Sequence, residues 1–132
     1  MKTPARIVVY LLWIIVLPSV ESCAQSEVPL IEADALQKLV QEDNSVVVLD
    51  TRSPEEYQSG HLENARFVNY ATFQLSDVQD IPLDSLVVVY CLSGGRSGRV
   101  AQQLLKAGYQ DVKNLNGGIR SWQTAGFNVE KE

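Results

Sequence analysis

Leu86-Val87-Val88-Val89-Tyr90 is an unbroken apolar run that leads straight into Cys91-Leu92-Ser93-Gly94-Gly95-Arg96-Ser97-Gly98-Arg99. A β-branched run with no polar residue on either side of its pleat is buried on both faces, which is the pattern of a parallel sheet. The glycine pair allows a tight turn. Ser97 to Lys106 then carries Val100, Ala101, Leu104 and Leu105 at helical spacing, with Gly108 placed to end the helix. This strand–turn–helix unit is repeated on either side. Upstream, Val46-Val47-Val48-Leu49 is a second buried strand, followed by the turn Asp50-Thr51-Arg52-Ser53-Pro54. Ser53 and Glu56 have capping-box spacing, Pro54 suits the first helical position, and Gly60 stops the helix. Further upstream, Val28 to Ile31 is a short apolar stretch. Leu36, Leu39 and Val40 mark a helix with Asp34 as its N-cap and a break at Asp43-Asn44-Ser45. Downstream, Val112 to Leu115 reads as a strand, and Gly117-Gly118 opens a last helix through Trp122 to Gly126. Ala65 to Tyr70 carries a weaker strand pattern, and Tyr70 to Asp84 carries no clear one. Strands alternating with helices predict an α/β domain whose central parallel sheet, of about five strands, is covered by helices on both faces.

Composition narrows the function classes. The chain has 132 residues, enough for one domain. Two cysteines and one histidine cannot make a disulfide scaffold or a closed zinc site of nitrogen and sulfur ligands. A formal charge of -5 argues against a nucleic-acid coat. The sequence holds no metal-ligand cluster and no dinucleotide fingerprint, so no cofactor and no metal are expected.

The N-terminus reads as a targeting segment. Lys2 and Arg6 precede the apolar run Ile7 to Leu17, which ends at Pro18. As a helix this run spans about 16 Å, short of the roughly 30 Å hydrocarbon core, so residues 1–22 fit a secretory signal peptide. Val20-Glu21-Ser22-Cys23 resembles a bacterial lipoprotein signal, in which Cys23 becomes the lipidated first residue. Ordinary cleavage near Ala24, with Cys23 lost, is the alternative. The expected organisation is signal peptide 1–22, tether 23–29 and domain 30–130. The expected address is periplasmic or the cell envelope, with membrane attachment only if Cys23 is modified.

The chemistry is expected in the loop after the Leu86–Tyr90 strand. Ligands of open parallel sheets bind at the carboxyl ends of strands, where Cys91 stands. Gly94 and Gly95 let backbone N–H groups turn inward, and the following helix aims its positive end at the same place. Arg96 and Arg99 add positive charge. Inward amides, the helix end and the guanidinium groups all favour thiolate over thiol, and the same cradle suits a small anion. A nucleophile in an anion-binding loop fits covalent group transfer. The bland alternative is an inert buried cysteine.

These residues resemble a single-domain rhodanese, the similarity running from about Leu30 to Val129. Cys91-Leu92-Ser93-Gly94-Gly95-Arg96 fits the family's CxxGxR loop. Leu49-Asp50-Thr51-Arg52-Ser53-Pro54-Glu55-Glu56-Tyr57 with Gly60-His61-Leu62 and Asn64-Ala65, and Leu115-Asn116-Gly117-Gly118-Ile119 with Trp122, are similar to two further family stretches. The resemblance implies a three-layer rhodanese-like fold and a sulfurtransferase with Cys91 as nucleophile. Leu92, Ser93, Gly94, Gly95, Arg96 and Ser97 are then its substrate loop, with Asp50 and Arg52 in support. A small anionic sulfur donor and a thiol acceptor are the implied partners of a monomer. The six-residue loop is the length the family uses for sulfur, whereas related phosphatases and arsenate reductases have one residue more. Leu92 departs from the polar or basic residue many active members carry, which favours a persulfide or polysulfide donor over thiosulfate. It also leaves room for a non-catalytic binding or sulfur-relay module.

Of the remaining residues, Asp50 is expected to cap its turn, and Arg52 and Glu56 to pair across the short helix, as the family pair does. His61 is expected to be held in a turn rather than to act as a base. Trp122 is expected in the core, and Arg66 and Arg120 as solvated charges.

Overall fold

The alternating apolar runs and amphipathic stretches build one five-stranded sheet in a computed structural model that describes residues 27–132. The expected signal peptide and Cys23 lie outside the described residues. In chain order the elements are β1 (Leu30–Ile31), α1 (Ala33–Glu42), β2 (Val47–Asp50), α2 (Pro54–Ser59), β3 (Arg66–Phe67), β4 (Leu86–Tyr90), α3 (Gly95–Lys106), β5 (Asp111–Leu115) and α4 (Gly118–Thr124). The strand order is β1-β5-β4-β2-β3, and every pairing is parallel. The carboxyl ends of β2, β4 and β5 therefore lie along one edge, with Asp50 opposite Tyr90.

The period-two pleat of β4 explains why its sequence is apolar throughout. Val87 and Val89 turn to the side of Val100, Ala101 and Leu104 from α3. Val88 and Tyr90 turn to the other side, with Leu36 of α1 and Ile119 and Trp122 of α4. The result is a three-layer α/β fold, as the alternation predicts. No helix among the described residues is long and apolar enough to cross a membrane.

Local signals set the element ends. Ser53 Oγ accepts from Glu56 N–H and the Glu56 carboxylate accepts from Ser53 N–H, completing the capping box with Pro54 in the first turn. Gly108, at φ 103°, follows the last residue of α3 by two positions and takes the left-handed conformation that ends it.

Two sequence expectations shift, and a stretch without a clear pattern acquires structure. The N-cap position of α1 is Glu32, whose side chain makes no capping hydrogen bond, and Asp34 lies inside the first turn, where its charge meets the positive end of the helix dipole. Helix α3 begins at Gly95, two residues ahead of Ser97, because Gly94 adopts φ 112° and turns the chain immediately after the loop. Residues 70–84 hold two short 3-10 turns, Tyr70–Thr72 and Leu75–Val78, packed under α3 through Val78 and Ile81.

Candidate active site

Cys91 directly follows β4, and the early start of α3 brings the first turn of that helix over its sulfur. Gly94 N–H donates to Cys91 Sγ at 3.1 Å, and the Ser97 hydroxyl lies 3.3 Å from the same atom. Burial pushes the Cys91 thiol up. The Ser97 hydroxyl and the N–H groups of Ser97, Gly94 and Ser93 outweigh it and bring the thiol below its ordinary value. Donors that stabilise a thiolate are the requirement for a nucleophilic cysteine. Cys91 is only 1% exposed, so its sulfur is reached through the loop rather than displayed on the surface.

The sequence-predicted loop residues divide by role. Gly94 and Ser97 face the sulfur. Ser93 and Gly95 form the exposed rim. Leu92 is half-buried and packs on the core that contains Trp122, so its side chain serves the fold rather than the cradle. Arg96 sits in the first turn of α3 with its guanidinium gripped by Glu56, through Nη1 to Oε2 at 2.8 Å and Nη2 to Oε1 at 2.9 Å. Two parallel N–H···O bonds fix the plane of the guanidinium, and Arg96 holds the Glu56 carboxyl down to about 2. Arg99 reaches Tyr70 Oη at 3.3 Å, so Arg96 is the arginine placed by the sulfur.

Arg52 does not pair with Glu56 as expected. Its guanidinium closes back on Asp50, with Nη2 2.5 Å from Oδ2 and Nε 2.9 Å from Oδ1, and Nη2 also donates to the Gly60 carbonyl at 2.6 Å. Asp50 is fully buried, so its charge needs the cation two residues away, while Glu56 is claimed by Ser53 N–H and Arg96. Asp50 Oδ1 also accepts from Arg52 N–H, the turn-capping role expected of it, and Oδ2 accepts from the Tyr90 hydroxyl at 2.5 Å. Tyr90 in turn accepts from Leu62 N–H. This knot ties the ends of β2 and β4 to the segment after α2. It supports the loop from behind and does not touch the sulfur.

His61 stacks on Tyr57 with ring centroids 3.9 Å apart, its Nδ1 lies 3.0 Å from the Tyr57 carbonyl, and its backbone bridges to Glu130, so it is held structurally, in a β-bridge rather than in the expected turn. Trp122 is buried and donates Nε1–H to the Asn128 carbonyl. Arg66 is a solvated surface charge as expected, paired there with the exposed Asp80 at 2.8 Å and donating to the Asp77 carbonyl. Arg120 is exposed.

Sequence reading missed two contributors. Asn114 of β5 is buried beneath the loop, its Nδ2 donating to the Gly94 carbonyl at 2.9 Å and its Oδ1 2.7 Å from Ser97 Oγ. The available signal was an amide two residues after Val112, at the position that strand alternation places on the same inner face. The second is the start of α4, whose Ile119 and Arg120 N–H groups donate to the Cys91 and Leu92 carbonyls. A Cβ at Gly118, where φ is 61°, would stand 2.5 Å from the Cys91 and Leu92 carbonyl oxygens, which is why glycine is required there. A cavity of about 410 Å³ lined by Val40, Leu62, Trp122 and Phe127 shares no residue with the Cys91 loop. The chemistry, not the size of a cavity, places the site.

Residues 32–125 match the Rhodanese-like domain family. The chain belongs to that family. Its rhodanese-like domain is 31% identical to a sulfurtransferase of Allochromatium vinosum over 75% of this chain and 92% of that one. It is 32% identical to a thiosulfate sulfurtransferase of Pseudoalteromonas translucida over 70% and 86%. A rhodanese-related protein of Thermoplasma volcanium superposes with a TM-score of 0.69 at 26% identity, over 79% of this chain and 99% of that chain.

Proposed function

We propose that this rhodanese-like domain is a sulfurtransferase that carries a sulfane sulfur on Cys91. The donor is thiosulfate or a persulfide or polysulfide, and the acceptor is a thiol or cyanide. The observation that carries this reading is the convergence of the Gly94 N–H and the Ser97 hydroxyl on Cys91 Sγ, with Arg96 fixed beside them. The Cys91 thiolate attacks the outer sulfur of the donor. The donor's S–S bond breaks, its electron pair leaves with the remaining fragment (sulfite, for thiosulfate), and a Cys91 persulfide forms. An acceptor thiolate or cyanide then attacks the outer sulfur, and the bonding pair returns to Cys91 Sγ as thiolate. No net oxidant is needed. A buried sulfur at the floor of the loop favours donors that present one terminal sulfur on a slim stem.

Steady-state turnover tests this. Parallel double-reciprocal lines for donor and acceptor are expected from a two-step cycle through one covalent intermediate, and Cys91→Ser should abolish it. Intersecting lines, or turnover retained in Cys91→Ser, would exclude the covalent route.

A second reading is a non-catalytic binding or sulfur-relay module, which the burial of Cys91 and the apolar Leu92 favour. It predicts stoichiometric sulfur uptake without multiple turnover. The N-terminal sequence supports an envelope address with a lipid on Cys23. Palmitate label that is lost in Cys23→Ala is the expected result, and label that persists would refute it.

A further inference from the structure

Ser97 owns one hydroxyl hydrogen but faces two acceptors, Cys91 Sγ at 3.3 Å and Asn114 Oδ1 at 2.7 Å. The orientation of the Asn114 amide follows from chemistry. The Gly94 carbonyl can only accept, so the amide NH₂ faces it, and the amide oxygen is left towards Ser97. When Cys91 is a thiol, its S–H can donate to Ser97 Oγ while Ser97 donates to Asn114. When Cys91 is a thiolate, the hydroxyl is drawn to the sulfur, and the buried Asn114 oxygen loses that donor, which disfavours the ionised state. The helix has been shaped to admit this amide. A Cβ at Gly98, inside α3, would stand 3.3 Å from Asn114 Nδ2, and glycine is otherwise a poor choice within a helix.

We propose that Asn114 is a positioning residue for sulfur transfer: it competes with Cys91 for the Ser97 hydroxyl and so restrains the free thiolate. This rests on Cys91 as the nucleophile proposed above. Once the persulfide forms, the charge moves to the outer sulfur and the inner sulfur no longer demands the hydroxyl. Ser97 then returns to Asn114. The competition therefore favours the loaded protein over the empty thiolate and holds the sulfur until an acceptor arrives. The charged groups around the network are Arg96 of α3, closed on Glu56 of α2, and Asp50 of β2, closed on Arg52. From β5 the network receives only the neutral Asn114, and from α4 only backbone N–H groups.

The test is the pH dependence of iodoacetamide alkylation of Cys91 in the full chain, read on the Cys91 peptide by mass so that Cys23 does not contribute. It needs no sulfur donor, so its outcome stands apart from that of the turnover experiment. Asn114→Leu keeps the size and removes both amide groups, while the Gly94 carbonyl keeps its bond from Gly98 N–H at 3.0 Å. The alkylation midpoint should fall by about one pH unit, a roughly tenfold gain in thiolate below the midpoint. Ser97→Ala should raise the midpoint, and Ser97→Thr should restore it. Asn114→Leu should have no effect in the Ser97→Ala background. An unchanged or raised midpoint in Asn114→Leu, or an equal fall in the Ser97→Ala background, overturns the proposal. Asn114→Ala, measured in parallel, decides the same question by the same criteria if the leucine variant does not fold.

Discussion

Replacing Glu56 by glutamine removes the carboxylate that grips Arg96 from across the loop. In the folded protein Arg96 brings the Glu56 carboxyl from an ordinary 4.5 to about 2, and the Ser53 N–H adds to the effect. Unscreened, that difference corresponds to roughly 3 kcal/mol. The side chains of Arg96 and Glu56 are 33% and 31% exposed, so solvent screens the pair, and about 1–2 kcal/mol is the expected loss in Glu56→Gln at pH 7. For a domain of this size that is about 5–10 °C in Tm. The pH dependence carries a sign. A carboxylate whose folded value is depressed contributes fully above its unfolded value, near 4.5, and loses its contribution as pH falls through about 2. Urea titrations at low salt should show a constant gap between wild type and Glu56→Gln from pH 7 to 5, closing steadily below 4.5. A negligible gap at pH 7, or one that stays constant as far down as the fold survives, would refute the reasoning.

Two further substitutions probe the supports of the loop. Arg52→Met leaves the fully buried Asp50 carboxylate without its cation and should cost about 3–5 kcal/mol by urea titration, while Asp50→Asn/Arg52→Met should recover at least half of that. Gly118→Ala forces a methyl against the Cys91 and Leu92 carbonyls and should cost about 3 kcal/mol or more in thermal melts. Gly126→Ala, at φ 85° in open space, should cost only about 1–2 kcal/mol.

The fold was legible because its main signals are local. The valine runs of β2 and β4 can be buried on both faces only in a covered parallel sheet, and the Ser53–Glu56 box and Gly108 mark helix ends within a few residues of sequence. The Cys91 loop was legible for the same reason, since a strand end, two glycines and an arginine are contiguous. Partnerships across the sheet were not. Glu56 and Arg96 are forty residues apart, and the sequence spacing favoured Arg52, which is nearer; only the burial of Asp50 shows why Arg52 turns the other way. Asn114 reaches Ser97 because β5 lies beside β4, a fact of strand order that no local pattern carries. The start of α3 lies two residues ahead of the position its apolar spacing suggests, because a left-handed Gly94 can end a turn or open a helix with equal ease.

Sulfur transfer by this domain depends on Cys91 accepting a sulfur atom inside the loop. Its most direct test is the intact mass of the protein after incubation with thiosulfate or polysulfide and removal of excess donor. A gain of one sulfur, mapped to the Cys91 peptide, absent in Cys91→Ala and discharged by cyanide, is the predicted result. No gain from any of these donors, or an equal gain in Cys91→Ala, would contradict it.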